Sequence, residues 1–143
     1  MKTVRHILEV KGYDIWDIDP KASVFEALRR MADKDVGALV VMQDDRLVGI
    51  LSERDYARKI VLLGKTSHET CVEDIMSTTV YTIHPDQTIH EAMEMMNRRK
   101  VRHLPVVEND RLIGVISIGD VVRMVIHSQR ETIRSYEPKY RVI

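Results

Sequence analysis

The sequence predicts an α/β (α+β) protein made of two β-α-β-β-α repeats packed about a pseudo-two-fold axis, with small mixed sheets and helices on the outer faces. Three observations carry that expectation. Sliding the chain by 65 positions lays Ile18–Tyr56 on Ile83–Val121 without a gap, and 14 of the 39 aligned pairs are identical. Each copy starts a helix on the S/T-x-x-E spacing of a capping box, Ser23 with Glu26 and Thr88 with Glu91. Each copy then holds two short β-prone runs separated by an Asp- or Asn-rich turn.

The elements follow in the same order twice. Ile15, Trp16 and Ile18, answered by Val80, Tyr81 and Ile83, read as a short apolar strand before a proline. Ala27, Leu28 and Met31, like Ala92, Met93 and Met96, give the apolar stripe of the capped helix. Ala38–Met42 and Leu104–Val107 are strands, Asp44-Asp45-Arg46 and Asn109-Asp110-Arg111 are turns, and Leu47–Leu51 and Leu112–Ile116 return as second strands. Ser52 and Ser117 begin further helices expected to reach about Leu63 and Arg130. Residues 1–12 read as a short helix and a turn. Here Val4-x-x-Ile7 matches Val72-x-x-Ile75 at an offset of 68, so the first copy carries three extra residues around Lys11–Tyr13. The expected organisation is repeat one over 4–63, a polar linker Gly64–Cys71, repeat two over 72–130 and an extension over 131–143 whose Ile133, Tyr136, Tyr140 and Ile143 are free to pack or to move. A half of roughly 60 residues is marginal alone, and two halves closing on each other gain one core and two equivalent clefts.

Composition excludes several classes. Twenty-two Lys plus Arg balance 22 Asp plus Glu, which argues against non-specific nucleic-acid binding. An apolar fraction of 44% with 6 Gly and 4 Pro describes a folded chain. No apolar run approaches the ~18 residues of a membrane span, and MKTVRHILEV lacks the apolar core of a secretory signal. The single Cys71 offers neither a disulfide nor a thiolate metal site. A cytoplasmic location is expected, with no membrane partner.

The runs Val101-Arg-His-Leu-Pro-Val-Val107 with Asp110-Arg-Leu-Ile-Gly-Val-Ile-Ser-Ile-Gly-Asp120, and Val36-Gly-Ala-Leu-Val-Val-Met42 with Asp45-Arg-Leu-Val-Gly-Ile-Leu-Ser-Glu-Arg-Asp55, resemble the tandem cystathionine-β-synthase (CBS) domain pair, or Bateman module. The resemblance covers about residues 4–127, in register twice. It implies a stand-alone, non-catalytic regulatory module that passes on a conformational change to an unidentified downstream protein. It further implies an adenine-nucleotide ligand between the repeats (AMP foremost, otherwise NAD, ATP or ADP), no metal, and a homodimer.

Candidate site residues are weighed on chemistry beside that resemblance. Ser52-x-x-Asp55 and Ser117-x-x-Asp120 have N-cap spacing. The same groups can serve a nucleotide, the carboxylate accepting from a ribose diol and the hydroxyl meeting phosphate. The resemblance implies ligand contact at Ser52, Asp55, Ser117 and Asp120, and capping and binding can coexist. Arg98 and Arg99 read as solvated cations at a helix C-terminus. Arg102 and His103, at the mouth of the next strand, are implied as phosphate contacts. Gly37 and Ala38 replace them in copy one, where Arg54 is the basic candidate. Val36, Gly37 and Ala38 are expected to line the cavity anchored by Ser117 and Asp120, and one strong site beside a weaker or empty cleft follows. Thr79, Val80 and Tyr81, and Ile15 with Trp16, are implied beside the base, with core packing as the plainer role of Val80, Tyr81 and Trp16.

No nucleophile elbow, H-E-x-x-H or complete phosphate-binding loop occurs. Gly64-Lys-Thr66 lacks the required glycine, Lys59 standing in its place. Met93, Met95 and Met96 read as core filler. The competing readings are an interaction dimer with empty clefts and, more remotely, a nucleotide hydrolase.

Overall fold

The computed structural model describes residues 1–128 and Val142; the tail residues Ile133, Tyr136, Tyr140 and Ile143, and the expected helix end at Arg130, lie outside them. In chain order the elements are α1 (Val4–Lys11), β1 (Asp17–Ile18), α2 (Val24–Lys34), β2 (Ala38–Gln43), β3 (Arg46–Ser52), α3 (Glu53–Tyr56) running into a π-helical turn (Ala57–Val61), α4 (Val72–Ile75), α5 (Ile89–Arg99), β4 (His103–Glu108), β5 (Arg111–Ser117) and α6 (Ile118–Ser128). In the first repeat β1 runs parallel to β2, which pairs antiparallel with β3; in the second, β4 and β5 form the matching hairpin.

Local chemistry accounts for these elements. Both hairpins turn on two consecutive residues with positive φ, Asp44 and Asp45 in one and Asn109 and Asp110 in the other. Two successive left-handed residues make the turn whose twist matches the strands, and Asn and Asp tolerate that conformation. Ser23 accepts from the Glu26 N–H, and Thr88 and Glu91 close a full capping box. Both capped helices end on a left-handed residue, Asp35 and Lys100, at equivalent positions.

Three expected elements differ. The strand over Ile15, Trp16 and Ile18 contracts to Asp17–Ile18. The one over Val80, Tyr81 and Ile83 contracts further, to a single parallel bridge between Ile83 and Val106. The cause of the second contraction is Pro105. In repeat one the Val40 N–H donates to the Trp16 carbonyl, whereas Pro105, at the equivalent position, has no N–H to give Tyr81. The helix expected from Ser52 to Leu63 is one α-turn followed by the π-turn, in which the Leu62 N–H donates to the Ala57 carbonyl. The widened turn keeps Ile60 in the core while the Lys59 ammonium bonds the Ile75 carbonyl at 2.8 Å.

The hydrophobic cores do not follow the repeat boundaries. Val4, Ile7 and Leu8 of α1 pack with Ile83, Ala92, Leu104, Ile116 and Val121 of repeat two. Reciprocally, Val72 and Ile75 of α4 pack with Val24, Ala27, Leu39, Leu51 and Ile60 of repeat one. Each repeat's opening helix therefore completes the other's core, a reciprocal exchange of the kind a pseudo-two-fold produces. Two equivalent glycines permit it. A Cβ on Gly114 would stand 2.7 Å from Leu8 Cδ2, and one on Gly49 would stand 2.6 Å from Met76 Sδ and 2.9 Å from the Ser77 carbonyl oxygen. Leu8 and Met76 are themselves equivalent at the 68-residue offset. The exchange fixes the two halves against each other and leaves a cleft on either side of their junction.

Candidate functional site

Two clefts lie between the repeats, and each takes one wall from each repeat. The first, of about 340 Å³, is bounded on one side by Ser52, Glu53, Arg54, Asp55, Arg58 and Lys59. Facing them are Ser77, Thr79, Val80 and Tyr81, then Lys100, Val101, Arg102 and His103. The second, of about 440 Å³, sets Ser117, Asp120 and Arg123 against Asp14, Trp16, Asp35, Val36, Gly37 and Ala38, with Lys11 and Gly12 at its edge. Gly37 and His103 line both and form the partition. A Cβ on Gly37 would come within 3.5 Å of the His103 ring and 3.1 Å of Glu53 Oε1, so the absence of a side chain here lets the two walls meet.

The candidate residues therefore divide between two sites. Arg102, Thr79, Val80, Ser52, Arg54 and Asp55 share the first cleft, Ser117, Asp120, Val36 and Ala38 share the second, and Gly37 and His103 belong to both. Tyr81 lines the first and Trp16 the second, each with a cation over its ring: Arg99 lies 4.7 Å from Tyr81 and Lys34 4.4 Å from Trp16. Those cations sit at equivalent positions on α5 and α2, so the stacking is a property of the repeat. Ile15 lines neither cleft.

Both Ser/Asp pairs cap their helices. The Ser52 N–H and hydroxyl donate to Asp55 Oδ2 at 2.9 and 3.1 Å, and the Asp55 N–H returns a bond to Ser52 Oγ. The Ser117 N–H donates to Asp120 Oδ2 at 2.8 Å, with the Asp120 N–H returning to Ser117 Oγ at 3.1 Å. Backbone carbonyls complete the joints, Gly37 accepting from the Glu53 N–H and Arg102 from the Ile118 N–H.

The electrostatics break the symmetry. Arg54, Arg58, Lys59, Lys100 and Arg102 line the first cleft against Glu53 and Asp55, five cations to two carboxylates. Lys59 is 3.1 Å from Asp55, and Arg54 donates to the Lys100 carbonyl. Among the described residues Arg58, Lys100 and Arg102 have no ion-pair partner. The second cleft holds Lys11 and Arg123 against Asp14, Asp35 and Asp120, and both its cations are spent on one carboxylate. Lys11 Nζ bonds Asp120 Oδ2 at 2.8 Å and Arg123 bonds Oδ1 at 2.7 Å. Burial alone would raise the Asp120 carboxyl, but hydrogen bonds from Lys11, the Ser117 N–H and Arg123 outweigh it and hold the group below its ordinary value. Burial pushes the His103 imidazole below its ordinary value; Asp120 opposes the shift, and Lys11 and Arg102 reinforce it.

The family model for the CBS domain matches residues 13–62 and 72–127. The chain belongs to the CBS domain family. It is a CBS pair, with one domain in each repeat. The CBS domain-containing protein CBSX3, mitochondrial, of Arabidopsis thaliana is 41% identical over 117 residues, which are 78% of this chain and 57% of that protein. The chain thus spans little more than half of that relative's length. The crystal structure of the CBS domain NE2398 matches with a TM-score of 0.84 and 44% identity over 87% of this chain and 98% of that one. The CBS domain pair of protein MJ0100, solved in complex with 5′-methylthioadenosine and S-adenosyl-L-methionine, has a TM-score of 0.79 at 23% identity, covering 90% and 98%.

Several lining residues of the CBS pair escape motif reading. Arg58 and Arg123 are identical at the 65-residue offset, three residues beyond the Asp of each Ser-x-x-Asp, and extending the repeat alignment by two positions finds them. Lys100 lies one residue before the Val101-Arg-His run. Lys11 carried a subtler signal, since it opens the three-residue surplus of copy one. One further cluster draws His84, Asp86 and Glu108 together, but Arg5 donates to both carboxylates and His84 Nδ1 accepts from the Asp86 N–H. That cluster is an ion-pair node tying α1 to repeat two. No helix among the described residues is long and apolar enough to cross a membrane.

Proposed function

We propose that this CBS-pair regulatory module binds an adenine nucleotide in the first cleft and transmits the occupancy to a partner protein without chemical turnover. The observation that carries the reading is the excess of cations there, with Arg58, Lys100 and Arg102 beside the Ser52/Asp55 pair and without an ion-pair partner among the described residues. A phosphate satisfies such groups through charge-assisted bonds, and guanidinium groups grip it bidentately. Thr79 and Val80 give the opposite wall for a base, and the cleft volume falls in the ordinary range for small-ligand sites. AMP is the first choice, with ADP, ATP and NAD of the same charge class. S-adenosylmethionine, whose sulfonium would meet the cations, ranks below them, although the more distant MJ0100 pair was solved with it. At the first cleft the α-helical stretch is only Glu53–Tyr56, so the side-chain cations rather than a helix dipole supply the positive potential.

Transmission requires the ligand to favour one arrangement of the module over another. The reading makes the module a cytoplasmic homodimer. Exposed apolar residues on equivalent helices, Val61 and Leu62 after α3 and Val122 and Ile126 on α6, supply a face for the second copy.

A thermal-shift and calorimetry panel of AMP, ADP, ATP, NAD, adenosine and S-adenosylmethionine tests the proposal. Saturation at a hundredfold excess over Kd should stabilise the fold by about 2.7 kcal/mol, with nucleotides ahead of S-adenosylmethionine and ATP intact after incubation with Mg²⁺. A folded protein indifferent to every compound would leave the interaction-dimer reading, for which the internally bonded Asp55 and Asp120 speak. Light scattering checks the dimer.

A further inference from the structure

The CBS pair's second cleft contains a side chain where its symmetry mate has none. Repeat one is longer by three residues at Lys11–Tyr13, and the structure spends them on α1. This helix runs eight residues, to Lys11, whereas its counterpart α4 stops after four, at Ile75. The added length carries Lys11 into the second cleft, where its ammonium bonds Asp120 Oδ2 and the Val115 carbonyl, both at 2.8 Å. In the first cleft no residue of α4 reaches Asp55. Its Oδ2 receives the N–H and hydroxyl of Ser52. Its Oδ1 lies 3.1 Å from Lys59, four residues on in the same helical segment, whose ammonium is also bonded to the Ile75 carbonyl.

We infer that Lys11 is an internal plug, an ammonium held at the carboxylate that would otherwise receive a sugar diol, so that the second cleft is closed to nucleosides in the native protein. This inference rests on the nucleotide reading above, in that a nucleoside is the ligand excluded. The plug is firmly seated. Val4, Ile7 and Leu8 of the same helix are buried in the core of repeat two, and Arg5 is paired with Asp86 and Glu108. Asp120 is nearly buried, so an ammonium on it is costly to displace by a neutral hydroxyl. The charges left in the cleft, Asp14 and Asp35, repel phosphate. What an unplugged cleft would admit is therefore an uncharged nucleoside.

Equilibrium dialysis with labelled adenosine, counting sites per chain, tests this on the full chain. Lys11→Ala should gain one adenosine site over wild type, and Lys11→Ala combined with Asp120→Ala should lose it again. Lys11→Arg, which keeps a cation on Asp120, should show the wild-type count. Lys11→Met retains the aliphatic stem and replaces Lys11→Ala should the latter fail to fold. An equal count in wild type and the charge-removing variants overturns the plug, whether or not nucleotides bind the first cleft. Conversely, a wild type that ignores the nucleotide panel while Lys11→Ala gains an adenosine site would sink the proposed function and uphold the plug.

Discussion

Truncating Leu8 and enlarging Gly114 should each destabilise the protein, yet together they should cost less than their sum. Leu8 lies on α1 but is fully buried in the core of repeat two. Leu8→Ala removes a packed isobutyl group, a change that costs about 2–5 kcal/mol. Gly114→Ala places a methyl group 2.7 Å from Leu8 Cδ2 and 3.3 Å from Cδ1. Leu8 is hemmed in by the core and cannot swing to solvent, so overpacking should cost about 1–3 kcal/mol. In the double variant the new methyl enters the space the leucine vacated. The Gly114→Ala cost should then fall to near zero, a coupling of about 1–3 kcal/mol. Urea denaturation of the four proteins at constant m gives all the numbers. Gly49→Ala is the control: its Cβ would meet Met76 Sδ at 2.6 Å and the Ser77 carbonyl oxygen at 2.9 Å, not Leu8, so Leu8→Ala should give it no relief. Additivity of Leu8→Ala and Gly114→Ala within about 0.5 kcal/mol would refute the exchange of opening helices between the cores.

Two further outcomes bear on the first cleft. Arg102→Ala should weaken AMP or ATP binding by roughly 10- to 100-fold, the loss of a charge-assisted contact of about 1.5–3 kcal/mol, while calorimetry with adenosine shows no change; equal losses for both ligands would remove Arg102 from phosphate recognition. His103 titrates below its ordinary value in the free protein, so a phosphate seated beside it should raise that value, bind with proton uptake, and bind more tightly as pH falls from about 7.5 to 6; His103→Gln should flatten the wild-type excess slope. In the free protein the same depression has the opposite reading for stability: the contribution of neutral His103 is full above the unfolded pKa of about 6.5 and is lost as pH falls through the lower folded value, which denaturation at two pH values checks against the same variant.

Much of this CBS pair is written in short-range sequence chemistry. The 65-residue repetition, the caps at Ser23, Thr88, Ser52 and Ser117, and the paired Asp and Asn residues of the hairpin turns each depend on neighbours a few positions apart, and such neighbours are visible in one dimension. Even the loss of the second repeat's first strand was legible in Pro105, because a missing N–H is a property of the residue itself. The gathering of cations in one cleft was only half legible. Arg102 and His103 marked it, but the commitment of Lys59 to Asp55, and the lack of an ion-pair partner for Arg58 and Lys100 among the described residues, depend on side-chain geometry.

Tertiary structure alone decided which repeat completes which core, and which carboxylate receives the ammonium of an opening helix. Lys11 and Asp120 are 109 positions apart, and nothing periodic links them. In a duplicated chain every residue has two equivalent sets of potential partners, and local pattern cannot choose between them. The choice was made by packing: α1 buries Leu8 against Gly114, and that placement brings Lys11 to Asp120.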